Sequence, residues 1–594
     1  MRSITNTVFG LPVMLALALT VSCAKQSAPT GGQKDEDPPV VVSSVPAQGT
    51  VNFKGEKISV TFNEYIVFDK LNDKFMVSPP LKTKPEITLR GKTMMITFRE
   101  ALRDSSTYTL YFQDAIRDLN ENNPFNNFQF VFSTGPVLDS LSVTGNVFSL
   151  PDLEASGNSL VLLHRTLSDT APRKSLPDYI TLTDKNGVFR IDNISQGRYR
   201  LYALSDNNGN KKYDLEDEKF AFSDTIISVL PESNYLPVVK DTTPKAKRDS
   251  VIINRSEAMY NLFLTAAPPK KHYLKSSERK PGNRLFFALS LPAGESEFSF
   301  ALPDTISRNY IETLSRNRDT MTVWLRDSLS ISYTTLNAFL TYPFTDSAGK
   351  KISRRDTIPL RFTTPRLPKG SKVKKTPLEV SVNIRNNSIR TGQRIRFDMP
   401  TPFGSADTSK ILLFELAGKE RLRKKLVIQP DSLTTGRLFL KTSLKDESKY
   451  LLLTDRGAFS DIYGQKNDST GVTFTVQPKT AYGHLEFNIT GVESPVIVQL
   501  LDSKENVVAE RFMKENGRAV YDLLDRGTYR ARAISDLNGD GRWTTGDFDS
   551  NNQPEPVAYY PNEVEVKIDW VIEQPWEITE WNFKNEKLQQ QPLK

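Results

Sequence analysis

The chain is 594 residues long, 38% hydrophobic and 10% aromatic, with 78 Lys and Arg against 70 Asp and Glu for a net charge of +8. That apolar content excludes a disordered polymer, and the length suits roughly four or five domains. One cysteine and three scattered histidines exclude thiolate zinc sites and Cys/His nucleophile pairs.

Behind Arg2, an apolar run from Phe9 to Val21 leads into Ser22 and the lone Cys23. The run is shorter than the ~20 residues of a bilayer-spanning helix and suits a secretory signal. Thr20-Val21-Ser22-Cys23 resembles a bacterial lipobox, with Thr20 where leucine is usual. The resemblance implies a signal peptide over 1–22 and lipid attachment at Cys23. A lone thiol in an exported chain makes no disulfide within that chain, so acylation gives it a role. Residues 23–37 are polar and rich in Pro and Gly, which predicts a flexible tether. Within them Gln33-Lys34-Asp35-Glu36-Asp37 resembles an acidic signal that sends some lipoproteins to the cell surface.

Residues 38–135 read as short strands of period two, at 57–62, 94–98 and 108–112, and predict a β-sandwich. Ser44-Val45-Pro46-Ala47-Gln48-Gly49, Phe62-Asn63-Glu64, Ser78-Pro79-Pro80, Ser106-Thr107-Tyr108, Ile116-Arg117-Asp118 and Phe130-Val131-Phe132-Ser133-Thr134-Gly135 resemble an Ig-like domain of the bacterial SbsA type. That resemblance implies a spacer or adhesive module and brings no catalytic residue.

An internal repeat follows. Gly197-Arg198-Tyr199-Arg200-Leu201-Tyr202-Ala203-Leu204-Ser205-Asp206 parallels Gly527-Thr528-Tyr529-Arg530-Ala531-Arg532-Ala533-Ile534-Ser535-Asp536, and Asn186-Gly187 parallels Asn516-Gly517 at the same offset (527 − 197 = 517 − 187 = 330). Each copy runs turn, strand, turn, strand, acidic loop, an order resembling prealbumin-like sandwiches of carboxypeptidase regulatory-like modules. The copies are placed at 136–240 and 478–594. Between them, 245–366 and 378–477 are strand-rich, the second echoing the Thr-Tyr and Phe-Ser-Thr endings of the first domain, with a basic linker over 367–377. The expected fold class is all-β, a tandem array of Ig-like and prealbumin-like β-sandwich domains with few helices.

The two acidic loops carry the clearest chemistry. Asp536, Asn538, Asp540, the Arg542 carbonyl and Asp547 stand at positions 1, 3, 5, 7 and 12 of a calcium-loop pattern, with Gly541 at the sharp turn. Aspartate rather than glutamate closes it, as in dockerin-like loops. The first loop offers Asp206, Asn208, Asn210, Asp214 and Asp217, with Lys211 at the glycine position and less charge. Ca2+ is the expected cofactor; an Asx-rich turn without metal is the alternative.

Asp followed by Ser or Thr and then Ala, Val, Ile, Leu, Met or Thr occurs twelve times, where average composition gives roughly two or three. The triplet resembles a bacterial O-glycosylation sequon, which makes Ser140, Thr170, Thr225, Thr242, Ser250, Thr305, Thr320, Ser328, Ser347, Thr357, Ser432 and Ser469 candidate acceptors; turn-favouring Asp-Ser and Asp-Thr at strand ends is the other account. Trp570, Trp576 and Trp581 gather near the C-terminus as candidate partner-binding residues or sandwich core. A basic centre runs through Lys245, Lys247, Arg248, Lys270, Lys271, Lys275, Arg279 and Lys280, then Lys369, Lys372, Lys374 and Lys375, then Arg421, Arg423, Lys424 and Lys425. Export argues against nucleic acid as its partner, leaving solvated loops or attraction to anionic head groups.

No phosphate-binding glycine loop, nucleophile elbow or His-Glu-x-x-His is found, so no catalytic residue is assigned and no small-molecule substrate is expected. The whole predicts a non-enzymatic outer-membrane lipoprotein, tethered to the membrane by its lipid on the periplasmic face or the cell surface. It would act as a β scaffold or interaction module whose partner is an outer-membrane protein complex, as in envelope-protein assembly or export. A surface glycan-binding or adhesive protein, and then a hydrolase of envelope polymers, are the alternatives.

Overall fold

The computed structural model describes residues 35–231, 259–303, 306, 309–363, 376–432, 434–579 and 581. The protein is nearly all β, a tandem array of β-sandwiches. Among the described residues its α-helices are three single-turn pieces, Leu71–Lys74, Ala171–Lys174 and Ser328–Ser332. Among the described residues no helix is long and apolar enough to cross a membrane. The chain divides into two compact units.

The first unit comprises Met1–Val147, Gly157–Lys212 and Phe222–Leu262. Its N-terminal sandwich pairs a sheet of Val41–Val45, Lys57–Phe62, Thr93–Thr97 and Glu86–Arg90 with a sheet of Met76–Ser78, Thr107–Tyr111 and Gln129–Ser133. Alternation explains the pairing: Ile58, Val60 and Phe62 turn inward, as do Met94 and Ile96 opposite them. The core is aromatic, with Phe53, Phe98, Tyr108 and Phe132 packed together and the Tyr108 and Phe132 rings stacked 5.5 Å apart. The hydroxyl of Tyr108 accepts the Arg103 N–H at 2.7 Å. Further along, Leu160–His164 is flanked by Tyr179–Leu182 and Gly197–Leu204. All five residues of that central strand are buried, which is why it reads as a continuous apolar run rather than an alternating one.

The second unit gathers Phe148–Ser156 and Tyr213–Ala221 with everything from Phe263 onward. One sandwich sets Leu274–Arg279, Arg284–Leu289, Thr320–Leu325 and Tyr310–Leu314 against Ser299–Ala301, Thr335–Thr345 and Lys351–Arg361. The next sets Ser381–Val382, Ile395–Asp398, Arg437–Lys441 and Val427–Pro430 against Ser388–Arg390, Thr470–Gln477, Lys449–Thr454, Ile411–Ala417 and Glu420–Arg423. Here Tyr450 stacks on Phe474 at 5.5 Å and its hydroxyl accepts the Lys445 N–H at 2.9 Å. The arrangement repeats that of Arg103, Tyr108 and Phe132 at one offset (445 − 103 = 450 − 108 = 474 − 132 = 342). The likeness of sequence endings is therefore a likeness of core geometry.

In the C-terminal sandwich, Gly483–Thr490 pairs with Gly517–Leu524 and, in parallel, with Val571–Glu577. The facing sheet is Val507–Met513, Val496–Leu501, Gly527–Ser535 and Val557–Tyr559, with Val564–Val566 also on Gly527–Ser535. The 330-residue repeat reappears in three dimensions. Tyr199 and Tyr529 each donate to the carbonyl four residues back, Ser195 and Asp525, at 2.8 Å. Asn193 and Leu523 share a left-handed backbone, at φ +59° and +55°. Beside this sandwich, Leu150 and Leu153 pack with Ile497, Leu501, Ile534, Val557 and Tyr559 in one buried cluster. Arg532, itself buried, reaches Asp152 at 2.8 Å and Gln499 at 2.6 Å.

Candidate functional site

The strand Gly527–Ser535 delivers Asp536 to the start of the second acidic loop. Its buried carboxylate turns the chain by accepting the Asp540 N–H at 3.1 Å and the Gly541 N–H at 3.0 Å. The Asn538 side-chain oxygen accepts the same Asp540 N–H at 2.9 Å, and Asp540 accepts the Arg542 N–H at 2.8 Å. Gly539 and Gly541 hold φ of +72° and +73°, where a side chain would be strained. Asp536, Asn538 and Asp540 are thereby drawn into one turn. Asp547 makes other contacts: Lys270 Nζ lies 2.6 Å from it, and the Ser550 hydroxyl donates to it at 2.6 Å. Burial opposes its ionisation, but Lys270 and Ser550 outweigh that and hold its pKa below the usual carboxylate range.

The residue that staples this loop is Glu555, which the sequence pattern did not single out. One of its buried carboxylate oxygens accepts the Leu537 N–H at 2.8 Å, and the other accepts the Thr544 N–H at 2.8 Å. Its backbone carbonyl takes the Trp543 indole N–H at 3.0 Å. Burial pushes its carboxyl above the ordinary range, against the pull of those N–H donors. Its place between Pro554 and Pro556, outside any loop spacing, gave no signal.

The first loop repeats the turn. Asp206 accepts the Gly209, Asn210 and Lys211 N–H groups at 2.9, 3.2 and 2.8 Å, Asn208 accepts that of Asn210 at 3.0 Å, and Asn210 accepts that of Lys212 at 2.7 Å. Lys211 takes φ +61°, the conformation Gly541 takes at the matching position. The division into units falls after Lys212, so Asp214 and Asp217 belong to the second unit. There the buried Glu218 accepts the Asp214 and Leu215 N–H groups, each at 3.2 Å.

Among the described residues no three Asp, Glu, His or Cys side chains converge as a ready metal cage. The second loop nonetheless offers hard oxygens of the kind calcium takes, on Asp536, Asn538 and Asp540. A carboxylate oxygen that accepts one N–H keeps a further lone pair. The donor chemistry fits, with Asp536, Asn538, Asp540 and the Arg542 carbonyl as the residues that would hold the ion.

The other expected residues are dispersed. Trp576 is only 5% exposed, packed edge-on against Phe487 and Tyr560 at 5.7 and 5.6 Å. It is core, which corrects its reading as a partner-binding residue. Trp581 lies half-buried against the same core, while Trp570 is 52% exposed with Lys567 Nζ 4.6 Å above its ring. Arg279 also departs from expectation: it is buried at 3% exposure and donates to the carbonyls of Gly282, Ser330, Ile331 and Tyr333 at 2.8–3.2 Å. It belongs to a core and not to a basic surface. Lys270 and Lys271 are paired with Asp547 and Glu216, and Lys424 with Glu415. Arg421, Arg423 and Lys425 stay exposed on or beside the strand Glu420–Arg423. Of the hydroxyl candidates, Ser140, Thr170, Thr225, Ser328, Ser347, Thr357, Ser432 and Ser469 are exposed and Thr320 is half-buried. Thr242, Ser250, Thr305, Cys23 and the basic residues Lys245, Lys247, Arg248, Lys369, Lys372, Lys374 and Lys375 lie outside the described residues.

Residues 35–134 match the family described as Bacterial Ig-like domain. No curated protein matches the chain in sequence. Solved structures similar to it include the N-terminal part of the bacterial S-layer protein SbsC, at 19% identity over 31% of this chain and 40% of that one, with a TM-score of 0.13. SbsC domains 1–6 match at 14% identity over 86% of this chain and 67% of that one, with a TM-score of 0.14. The major pilin subunit BcpA of Bacillus cereus matches at 9% identity over 74% and 99%, with a TM-score of 0.13.

Proposed function

We propose that this protein is a non-enzymatic scaffold of the bacterial envelope, held to the outer membrane by a lipid on Cys23. It would be built from SbsA-type Ig-like sandwiches at 38–135 and 378–477, prealbumin-like modules at 136–240 and 478–594, and a further sandwich at 245–366. The observation that carries the reading is the shared apolar cluster of Leu150 and Leu153 with Ile497, Leu501, Ile534, Val557 and Tyr559. Residues more than three hundred positions apart are fixed by a core and not left on a linker, an expense of sequence that suits holding partners at set positions. The Ig-like match over residues 35–134 supports the same reading. Calcium at the second acidic loop would stiffen the turn between Asp536 and Glu555, and glycans on the exposed Asp-Ser and Asp-Thr hydroxyls would shield the surface.

The partner in this reading is an outer-membrane protein complex, including assembly or export machinery. Affinity purification from detergent-solubilised membranes tests it: a stoichiometric outer-membrane protein should co-purify, and recovery of the bait alone contradicts the scaffold role. The exposed Trp570 favours a second reading, a surface adhesin that stacks a sugar on this ring. Glycan-array binding lost in Trp570→Ala would select it.

A further inference from the structure

We propose that a polar basin beside the strand Ser388–Arg390 binds the oxyanion of a small acidic ligand, a carboxylate or a phosphate ester. The basin encloses about 570 Å³ and is lined by three arginines, Arg385, Arg390 and Arg396, against one carboxylate, Asp525. Its volume falls within the several hundred Å³ of small-molecule sites. Guanidinium groups stay charged at any physiological pH and present a planar donor fork that matches carboxylate and phosphate oxygens. Arg390 and Arg396 are paired with Asp525 and Asp398, which leaves the charge of Arg385 for an anion to neutralise.

The arginines are held in different ways. Arg385 opens a two-residue turn in which Asn386 and Asn387 take φ of +49° and +54°, closed by reciprocal Arg385–Ser388 backbone bonds of 3.1 and 2.9 Å. Both central residues with positive φ make a tight primed turn that fixes where Arg385 leaves the chain. Among the described residues Arg385 forms no ion pair, whereas Arg396 bonds Asp398 at 2.7 Å. The Arg390 guanidinium lies 5.4 Å over the Tyr482 ring and pairs with Asp525. Arg390 is thus oriented by an aromatic face and Arg385 remains uncommitted. A ligand anion would bridge the two, taking Arg385 outright and sharing Arg390 with Asp525. This inference does not depend on the lipid anchor or on the envelope partner.

Isothermal titration of the purified protein with glucuronate, glucose 6-phosphate and glucose tests it. Saturable binding of at least one acidic sugar is expected, with none of glucose. Binding to glucose 6-phosphate alone assigns a phosphate, and binding to glucuronate alone assigns a carboxylate. Arg385→Ala should weaken binding at least tenfold while leaving the melting curve unchanged, since its side chain forms no ion pair among the described residues. Arg390→Lys should weaken it less, keeping the charge but losing the fork. An exposed control, Arg421→Ala, should bind as the parent does. No saturable binding of either acid, equal binding of glucose, or an Arg385→Ala variant that binds normally each overturns the proposal.

Discussion

Two buried charge-bearing side chains show how single residues set stability here. Among the described residues Arg279 has no carboxylate partner; its fork is filled by backbone carbonyls from two separate segments, 282 and 330–333. Truncating it strands the buried acceptors of Gly282 and Ser330, each costing about 1–3 kcal/mol. Arg279→Ala should therefore lower the urea-unfolding free energy by at least about 2 kcal/mol, and Arg279→Lys should recover little because three donors cannot replace the fork. A loss below about 1 kcal/mol would contradict this account. His164 is the pH-sensitive case. It is 1% exposed, Nε2 finds no partner among the described residues, and burial depresses its pKa from 6.5 to about 4. The neutral ring is thus favoured in the folded state, so its stability contribution is complete above pH 6.5 and lost as pH falls toward 4. The full shift corresponds to about 3 kcal/mol. Urea titrations at pH 7 and pH 4.5 should show that loss in the parent and a smaller one in His164→Leu.

Strands and turns divide in how plainly the sequence declares them. Lys57–Phe62 was legible residue for residue, because one buried face enforces a period of two. Tyr199 and Tyr529 were legible as a repeat since the same corner demands the same residues. The acidic loops were half legible. Asp536, Asn538 and Asp540 announce their turn locally, but Glu555 acts across eighteen positions (555 − 537) and carries no local pattern. At Gly541 an added Cβ would sit 3.3 Å from the Phe512 ring as well as in the left-handed region, so Gly541→Ala should cost about 1–2 kcal/mol. If calcium binds at Asp536, Asn538 and Asp540, scanning calorimetry should show a higher melting temperature with millimolar calcium than with chelator. Asp540→Ala should abolish the difference; identical melting of the parent in both conditions would remove calcium from the account.

At the scale of the molecule, an array of sandwiches was readable from turn spacing and strand period, while the cluster joining residues 148–156 to the C-terminal sheet was not. Leu150 and Leu153 look like any loop-borne apolar residues, and only the fold shows what they cover. Leu150→Ala should cost roughly 2–4 kcal/mol locally. Hydrogen exchange should then quicken in Val496–Leu501 and Val557–Tyr559, and unchanged protection there would mean that the cluster does not hold the segment. The proposed molecule is an anchored scaffold and not a free enzyme. Intact-mass and N-terminal peptide spectrometry of the protein extracted from membranes tests it most directly. The account predicts a mature chain that begins at Cys23 with diacylglycerol on its sulfur. A mature chain with an unmodified Cys23, recovered in the soluble fraction, would contradict it.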